Sequence, residues 1–182
     1  QRIQKLRTGA DDDLAAVHVH ATELAQIVAD GPAQLLRPVV GDGPERERLE
    51  MLCQGHDVIF TGNLSGLKLA QAYASANVFV FASQVETFGN VVLEAMASGL
   101  PVIAYNYACA HLHVKNGETG WLSPLGDKAG LIQSIHQLPG NRQLKRMGLE
   151  ARQAVQHIGW QYPVQQFEQA LYTVAMEMDM TS

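Results

Sequence analysis

The sequence predicts an α/β fold, a doubly wound parallel sheet with helices on both faces, and two observations carry the prediction. Continuous apolar runs at residues 78–81 and 101–104 have the length of buried strands. Between them lies a short helical segment that opens after Gly89. Buried strands that alternate with helices are typical of parallel sheets. A chain of 182 residues with 47% hydrophobic content is long enough for one substantial core.

The remaining elements follow from periodicity and turn residues. Residues 11–29 have helical periodicity with acidic residues early, so a helix is predicted there that ends at Asp30. Pro44 suits the first turn of the helix that follows the tight turn at residues 41–44. The other predictions are strands at residues 36–40 and 58–61 and helices at residues 45–53, 67–76, 127–138, 141–157 and 164–178.

Two acids flank the turn that opens the helix after the first apolar run. Glu94 is the one charged residue of this helix, whose apolar residues lie all round its cylinder and predict burial. An unpartnered buried acid costs several kcal/mol. We therefore expect Glu94 to face water, a basic partner or a polar ligand at the mouth of a cleft.

The spacing of the acids constrains the ligand. Residues eight apart in a helix lie about 12 Å apart along its axis, so Glu86 is expected in the preceding loop. Gly89 allows close backbone approach and Asn90 can cap, which leaves the N–H groups of Asn90, Val91 and Val92 as an anion site. Phosphate is the expected ligand of this site, and the carboxylate on either side can accept hydrogen bonds from hydroxyls. Such an acid pair also arises by chance, but loops after the carboxyl ends of parallel strands are where ligands bind.

Residues 86–104 resemble the donor-site signature of the retaining, nucleotide-sugar-dependent glycosyltransferases of the GT-B fold, the large group 1 family. The shared pattern is Glu86-x-Phe88-Gly89, Glu94-Ala95-Met96-Ala97-x-Gly99 and Pro101-Val102-Ile103-Ala104. Four further motifs occur in the family's order, so that the resemblance covers about residues 35–175: Val39-Val40-Gly41-Asp42-Gly43-Pro44-Glu45, Val58-x-Phe60-x-Gly62, Tyr73-Ala74-x-Ala76-Asn77-Val78-Phe79-Val80 and Asn116-Gly117-x-x-Gly120-Trp121-Leu122.

The resemblance implies the donor-binding, Rossmann-like half of a GT-B enzyme. Residues 35–182 would form the nucleotide-sugar-binding domain with a C-terminal crossover helix, and residues 1–34 an atypical N-terminal segment of it. The expected function is transfer of a hexose, with retention, from a UDP-sugar or GDP-sugar to a glycan or lipid acceptor held by an absent N-terminal domain. This fragment alone is expected to be inactive.

The resemblance also assigns roles to residues. Glu86 is the expected catalytic residue. The expected donor-binding residues are Phe88, Gly89, Asn90 and Val91 at the diphosphate, Glu94 at the ribose hydroxyls, Gly41 on the nucleotide side of the cleft and Leu64 at the nucleobase. Tyr73, on the amphipathic helix before them, is predicted to be a core residue. No metal or other cofactor is expected.

Composition limits the other possibilities. A formal net charge of -5 without a dense Lys/Arg face argues against a nucleic-acid partner. Cys53 and Cys109 lack metal-ligand spacing and are interpreted as buried thiols in a reducing compartment, with a disulfide as the less favoured alternative. Paired histidines at 18/20 and 111/113 lack a third ligand nearby. Neither a span of twenty apolar residues nor a signal peptide is visible, so the expected location is the cytoplasm.

Three alternatives stay open. The family's donor domain opens with an Arg and a Lys five residues later, whereas Arg2 and Arg7 have that separation without the flanking glycine. A catalytically inactive nucleotide-binding or scaffold module is therefore one alternative, and a GT-B sugar epimerase another. Lys145, Arg146 and Arg152 are interpreted as a solvated helix face, although such a face could also touch anionic lipid at the inner side of a membrane.

Overall fold

The computed structural model describes residues 15–18, 37–85 and 89–159, which form a parallel sheet covered by helices. The helices lie between or after the strands along the chain. The strands are β1 (Ala15–His18), β2 (Arg37–Val40), β3 (Val58–Gly62), β4 (Val78–Phe81), β5 (Val102–Tyr105) and β6 (Gly120–Ser123). The helices are α1 (Arg46–Leu52), α2 (Gly66–Ser75), α3 (Asn90–Ala97), α4 (Ala108–His113), α5 (Lys128–His136) and α6 (Asn141–Val155).

The strand order is β3-β2-β1-β4-β5-β6, and neighbouring strands pair in parallel. This is the order of a doubly wound dinucleotide-binding sheet, and it confirms the predicted fold class. The chain leaves β1 toward β2 on one side and returns to β4 on the other. The reversal opens a crevice at the carboxyl ends of the central strands, which is where such sheets bind ligands.

The prediction of a helix over residues 11–29 is wrong at Ala15–His18, which form the central strand β1. Val17 pairs with Val39 of β2 and with Val80 of β4. Pairing on both edges outweighs local propensity in a strand of only four residues, and the acidic residues before it look like a helix start. The predicted helix at residues 164–178 lies outside the described residues.

The core consists of two layers because successive side chains of a strand point to opposite faces of the sheet. Val78 and Val80 of β4 pack on one face with residues of α1 and α5, including Leu49 and Leu131. On the other face, Phe79 and Phe81 pack with residues of α2, α3, α4 and α6. Cys53 lies in the first layer and Cys109 in the second, and both are buried thiols.

Helix α3 is buried on one face and not all round. Val92, Ala95 and Met96 are fully buried, whereas Asn90 and Glu94 are exposed. The prediction that its apolar residues bury the whole cylinder is therefore wrong, because the helix covers the edge of the sheet where the crevice opens. In the described part of the chain, no helix has both the length and the apolar character needed to cross a membrane.

Packing of α3 against α6 depends on two glycines. Gly99, which follows α3, has a φ of +81°. Gly148 of α6 lies against it so closely that an added Cβ would collide with the Gly99 carbonyl. The backbones of the two elements therefore touch without intervening side chains, which fixes the position of α3 over the sheet.

Candidate functional site

A cavity of about 160 Å³ opens at the carboxyl ends of β2 and β3, between α2 and α3. Its volume is roughly ten times the ~15 Å³ that one water needs, so it can accept a planar organic group. Most of its wall is apolar, and Glu94 is its one charged side chain. The lining residues are Val40, Gly41, Asn63, Leu64, Leu69, Ala72, Tyr73, Phe79, Val91 and Glu94.

Gly41 and Leu64 enter the cavity on the loops after β2 and β3. The Gly41 N–H donates to the Gly62 carbonyl oxygen at 3.0 Å, which joins the two loops beyond the end of the regular ladder. Gly41 and Gly62 both have positive φ, +129° and +69°, conformations that L side chains rarely adopt. Glycine at these positions lets both loops turn sharply at the rim of the cavity, so that Leu64 reaches it.

The N-terminus of α3 faces the loop that follows β4. Gly89 occupies the N-cap position in a left-handed conformation, φ 89° and ψ 48°, and α3 begins at Asn90. The expectation that Asn90 caps the helix is therefore wrong. The N–H of Val92 donates to the Gly89 carbonyl at 3.0 Å, so it is not available to an anion. Asn90 and Val91 are the first two residues of α3, and N–H groups at these two positions have no intrahelical acceptor.

Glu94 lies one turn after Val91, and both line the cavity. Its side chain is exposed, as expected for an acid at the mouth of a cleft. The Tyr73 hydroxyl donates to Glu94 Oε2 at 3.2 Å. Within residues 37–85 and 89–159 no Lys or Arg forms an ion pair with Glu94.

Tyr73 is buried, with 8% of its surface exposed, and its ring packs against Phe79 with centroids 5.8 Å apart. The prediction of a core residue is confirmed, but its hydroxyl end also lines the cavity. Burial, and secondarily the charge and hydrogen bond of Glu94, raises the pKa of Tyr73 above its ordinary value. The hydroxyl therefore stays protonated and remains a donor at neutral pH.

The structure brings together four of the residues predicted from the sequence: Gly41, Leu64, Val91 and Glu94. Glu86 and Phe88 lie outside the described residues, so their predicted roles stay predictions. The sequence interpretation missed the contribution of α2, whose Leu69, Ala72 and Tyr73 form one wall. Their spacing of three and four residues on an amphipathic helix indicated one face, but not which element it would meet.

The loop after β5 approaches the same edge of the sheet. Ala108, the first residue of α4, has a φ of 46°, in the left-handed region. Asn106 Oδ1 and His111 Nδ1 lie 2.8 Å apart in a hydrogen bond. Burial, and secondarily the charge of His157, lowers the pKa of His113. No three His, Cys, Asp or Glu side chains come together as a metal site within the described residues, and His20 lies outside them.

Comparison with known proteins identifies the family to which the chain belongs. The profile of the family described as "Glycosyl transferases group 1" matches residues 8–141, well over half of the chain. The chain belongs to the group 1 glycosyltransferases. Among the relatives of this chain is the sulfoquinovosyl transferase SQD2 of Arabidopsis thaliana, 34% identical over 182 residues, with 94% of the chain and 36% of the relative covered.

A GDP-mannose-dependent alpha-mannosyltransferase of Mycobacterium tuberculosis is 39% identical over 146 residues, with 80% of this chain and 36% of the relative covered. The chain thus spans about a third of the length of these curated relatives.

Solved structures confirm the predicted fold of this chain. Sucrose-phosphate synthase from Thermosynechococcus elongatus superposes with a TM-score of 0.79 at 30% identity, covering 96% of this chain and 48% of that one. Anabaena HepE, solved in complex with UDP and glucose, gives a TM-score of 0.75 at 24% identity, covering 94% and 52%. The chain therefore has the Rossmann-like fold of the GT-B glycosyltransferases.

Proposed function

We propose that this chain is the donor-binding domain of a retaining hexosyltransferase. It binds a nucleoside diphosphate sugar, and the hexose passes with retention to a glycan or lipid acceptor held by a domain outside this chain. The observation that carries the proposal is the cavity between α2 and α3, which gathers Gly41, Leu64, Val91 and Glu94 at one edge of the sheet. Family membership adds support, as does a neighbour solved with UDP and glucose.

The nucleoside occupies the cavity. Its base lies against Leu64 and Gly41, where the apolar wall accepts a ring face and backbone groups are available to the ring edge. Glu94 accepts the two ribose hydroxyls, since an ionised carboxylate offers two oxygens with about four acceptor positions. Glu94 is the charged group of the cavity wall, and no described cation competes for it.

The diphosphate lies at the N-terminus of α3. N–H groups of residues 88–91 hold its oxygens and stabilise the charge that grows as the glycosidic bond to the phosphate breaks. A helix terminus alone contributes about 0.3–2 kcal/mol to an anion. No metal is required in this proposal. Glu86, in the loop before α3, accepts hydroxyls of the sugar and stabilises positive charge at the anomeric carbon.

The acceptor and the location belong to the proposal as well. The acceptor binds outside this chain, which covers about a third of its curated relatives. The protein acts in the cytoplasm, at the inner face of the membrane when the acceptor is a lipid. Lys145, Arg146 and Arg152 of α6 are exposed and available for such a contact.

Titration calorimetry of the 182-residue chain with UDP and with GDP tests donor binding. We expect one of the two to bind, and Glu94→Gln to weaken that binding by about 10-fold or more, because a hydrogen bond to a charged group contributes about 1.5–3 kcal/mol. Glu150→Gln, the same change on the exposed face of α6, is the control and should leave the affinity unchanged. A chain that ignores UDP, GDP and their sugars would instead be an interaction module.

Kinetics of the intact enzyme test the two acids separately. Glu86→Gln should lower kcat with little change in KM for the donor, and Glu94→Gln should mainly raise KM. Equal, negligible effects of both changes would contradict the assignment. Release of an altered sugar in the absence of any acceptor would show the epimerase alternative.

A further inference from the structure

We infer that Tyr73 is a positioning residue for donor binding: its buried hydroxyl holds one oxygen of the Glu94 carboxylate and leaves the other oxygen to the ribose. The inference rests on the proposed function and deepens it. It assigns a part of ribose recognition to α2, on the opposite wall of the cavity from α3.

The first step of the argument is the difference between the two side chains. Glu94 is exposed on α3, and a long exposed side chain occupies many rotamers. Tyr73 is buried on α2 and is fixed by its ring contact with Phe79 of β4. The hydrogen bond of 3.2 Å between Tyr73 Oη and Glu94 Oε2 therefore ties a mobile group to a rigid one.

The second step concerns the oxygens of the carboxylate. The Tyr73 hydroxyl has a single proton, and it donates that proton to Oε2. Oε1 has no hydrogen-bond partner among the described residues, and Glu94 lines the same cavity, so this second oxygen can accept ligand hydroxyls. Fixing a binding group before the ligand arrives reduces the entropy lost on binding.

The third step is that the Tyr73 hydroxyl stays protonated, and so remains a hydrogen-bond donor, at neutral pH. Tyr73 is held on the apolar side of the cavity together with Leu69 and Ala72. Its hydroxyl meets a single acidic group there, Glu94. The proton therefore stays on the tyrosine, and its hydroxyl remains a hydrogen-bond donor to Glu94 Oε2.

The test is Tyr73→Phe, which keeps the ring and removes only the hydroxyl. Calorimetry compares UDP with 2′-deoxy-UDP, and GDP with 2′-deoxy-GDP, in the whole chain. For the wild type we expect the 2′-deoxy nucleotide to bind more weakly. The Tyr73→Phe variant should bind the ribonucleotide about 3- to 10-fold more weakly than the wild type does, whereas its affinity for the 2′-deoxy nucleotide should change much less. The ratio of the dissociation constant of the deoxy nucleotide to that of the ribonucleotide therefore decreases.

If Tyr73 had a merely structural role, Tyr73→Phe would weaken the binding of both nucleotides equally. An unchanged ratio of the two dissociation constants would therefore overturn the inference. Tyr105→Phe is the matched control, since it removes another buried tyrosine hydroxyl on the opposite core layer and should leave the ratio as in the wild type. In a Glu94→Ala background, Tyr73→Phe should have no further effect on the ratio. A further effect there would show that Tyr73 does not act through Glu94.

The outcomes separate this inference from the proposed function. Binding of UDP or GDP with an unchanged ratio in Tyr73→Phe overturns the role of Tyr73 alone. Binding without discrimination against the deoxy nucleotide in the wild type overturns the ribose role of Glu94 and this inference with it. Absence of binding by the wild type overturns the proposed function.

Discussion

At the scale of single residues, several backbone conformations with positive φ lie at the carboxyl ends of the strands, where the cavity opens. Glycine takes most of them, including Gly41, Gly62 and Gly89. Ala108 is the one described non-glycine residue with a positive φ, 46°, and it begins α4 directly after β5. An L residue in this region costs about 1–2 kcal/mol. The position of α4 is thus maintained against local strain, as is common near functional sites.

Replacing Ala108 by glycine should relieve this strain. We expect Ala108→Gly to raise the free energy of unfolding by about 0.5–1 kcal/mol, the strain relieved being partly offset by the greater freedom of glycine in the unfolded chain. Urea denaturation measures the change. Ala70→Gly, on the exposed side of α2, is the control and should lower the free energy by about 1 kcal/mol. Equal losses in both variants would contradict the assigned strain.

Much of the site could be predicted from the residues, and the limit of the prediction is physical. A lone charge on an apolar helix predicted that Glu94 faces water, a basic partner or a polar ligand, and its side chain is exposed at the cavity. Its partner Tyr73 is 21 positions away, on another helix. Periodicity assigns a face to each helix separately, but it does not say which two faces meet.

At the scale of elements, the site depends on how α3 is held. Its buried face packs on the sheet, and its C-terminal end touches α6 through Gly99 and Gly148. Both ends of α3 are thus fixed by glycines, Gly89 at the start and Gly99 after the end. A shift of this helix would move Val91 and Glu94 together.

Gly148→Ala tests this contact. The added Cβ would collide with the Gly99 carbonyl, and a backbone atom has no rotamer by which to move away. We expect a loss of about 2 kcal/mol in the free energy of unfolding, even though alanine is the better helix former. Nucleotide affinity should fall as well, because α3 carries Glu94. Gly159→Ala, with no atom within 4 Å of its added Cβ, should change the stability by less than about 0.5 kcal/mol.

Elements differed in how well the sequence predicted them. The strand at residues 78–81 and the helices α3, α5 and α6 were located within a few residues because their apolar runs or periodic patterns stand out, whereas helix α4 was not predicted. β1 was predicted as helix, and β6 was not predicted at all. Neither β1 nor β6 has the run of large apolar residues that marks β4, and pairing with strands distant in the sequence determines both. A single sequence contains no signal of that pairing.

At the scale of the whole molecule, one sheet joins two core layers. Alternate residues of β4 and β5 serve the two layers, so Val80 and Ile103 face one layer while Phe79 and Val102 face the other. Each of these strands is therefore shared. Loss of either layer exposes one face of the same strands, and we expect the described domain to unfold as a single cooperative unit.

The two cysteines report on the two layers independently. Cys53 belongs to one layer and Cys109 to the other. Burial, which outweighs the Leu93 backbone hydrogen bond, raises the pKa of Cys109 to about 11. At pH 8 only about one part in a thousand of this thiol is ionised in the native state, so it should react slowly with iodoacetamide until it is exposed.

Pulse alkylation at increasing urea, read by mass spectrometry of the two cysteine peptides, should give one midpoint for both thiols. The fully unfolded chain, in which both thiols react rapidly, is the control. Reaction of one cysteine at a clearly lower urea concentration would mean that the layers open separately.

The cavity joins two kinds of residue that differ in how freely they can be changed. Phe79 and Tyr73 form part of the cavity and are also buried members of the second core layer. Asn63 is exposed and Leu64 only half-buried, on the loop after β3. Substitutions meant to alter the proposed nucleotide preference should therefore be made at the exposed loop residues and not at the buried residues. Substitutions in the cavity are tolerated only at residues that do not contribute to the stability of the core.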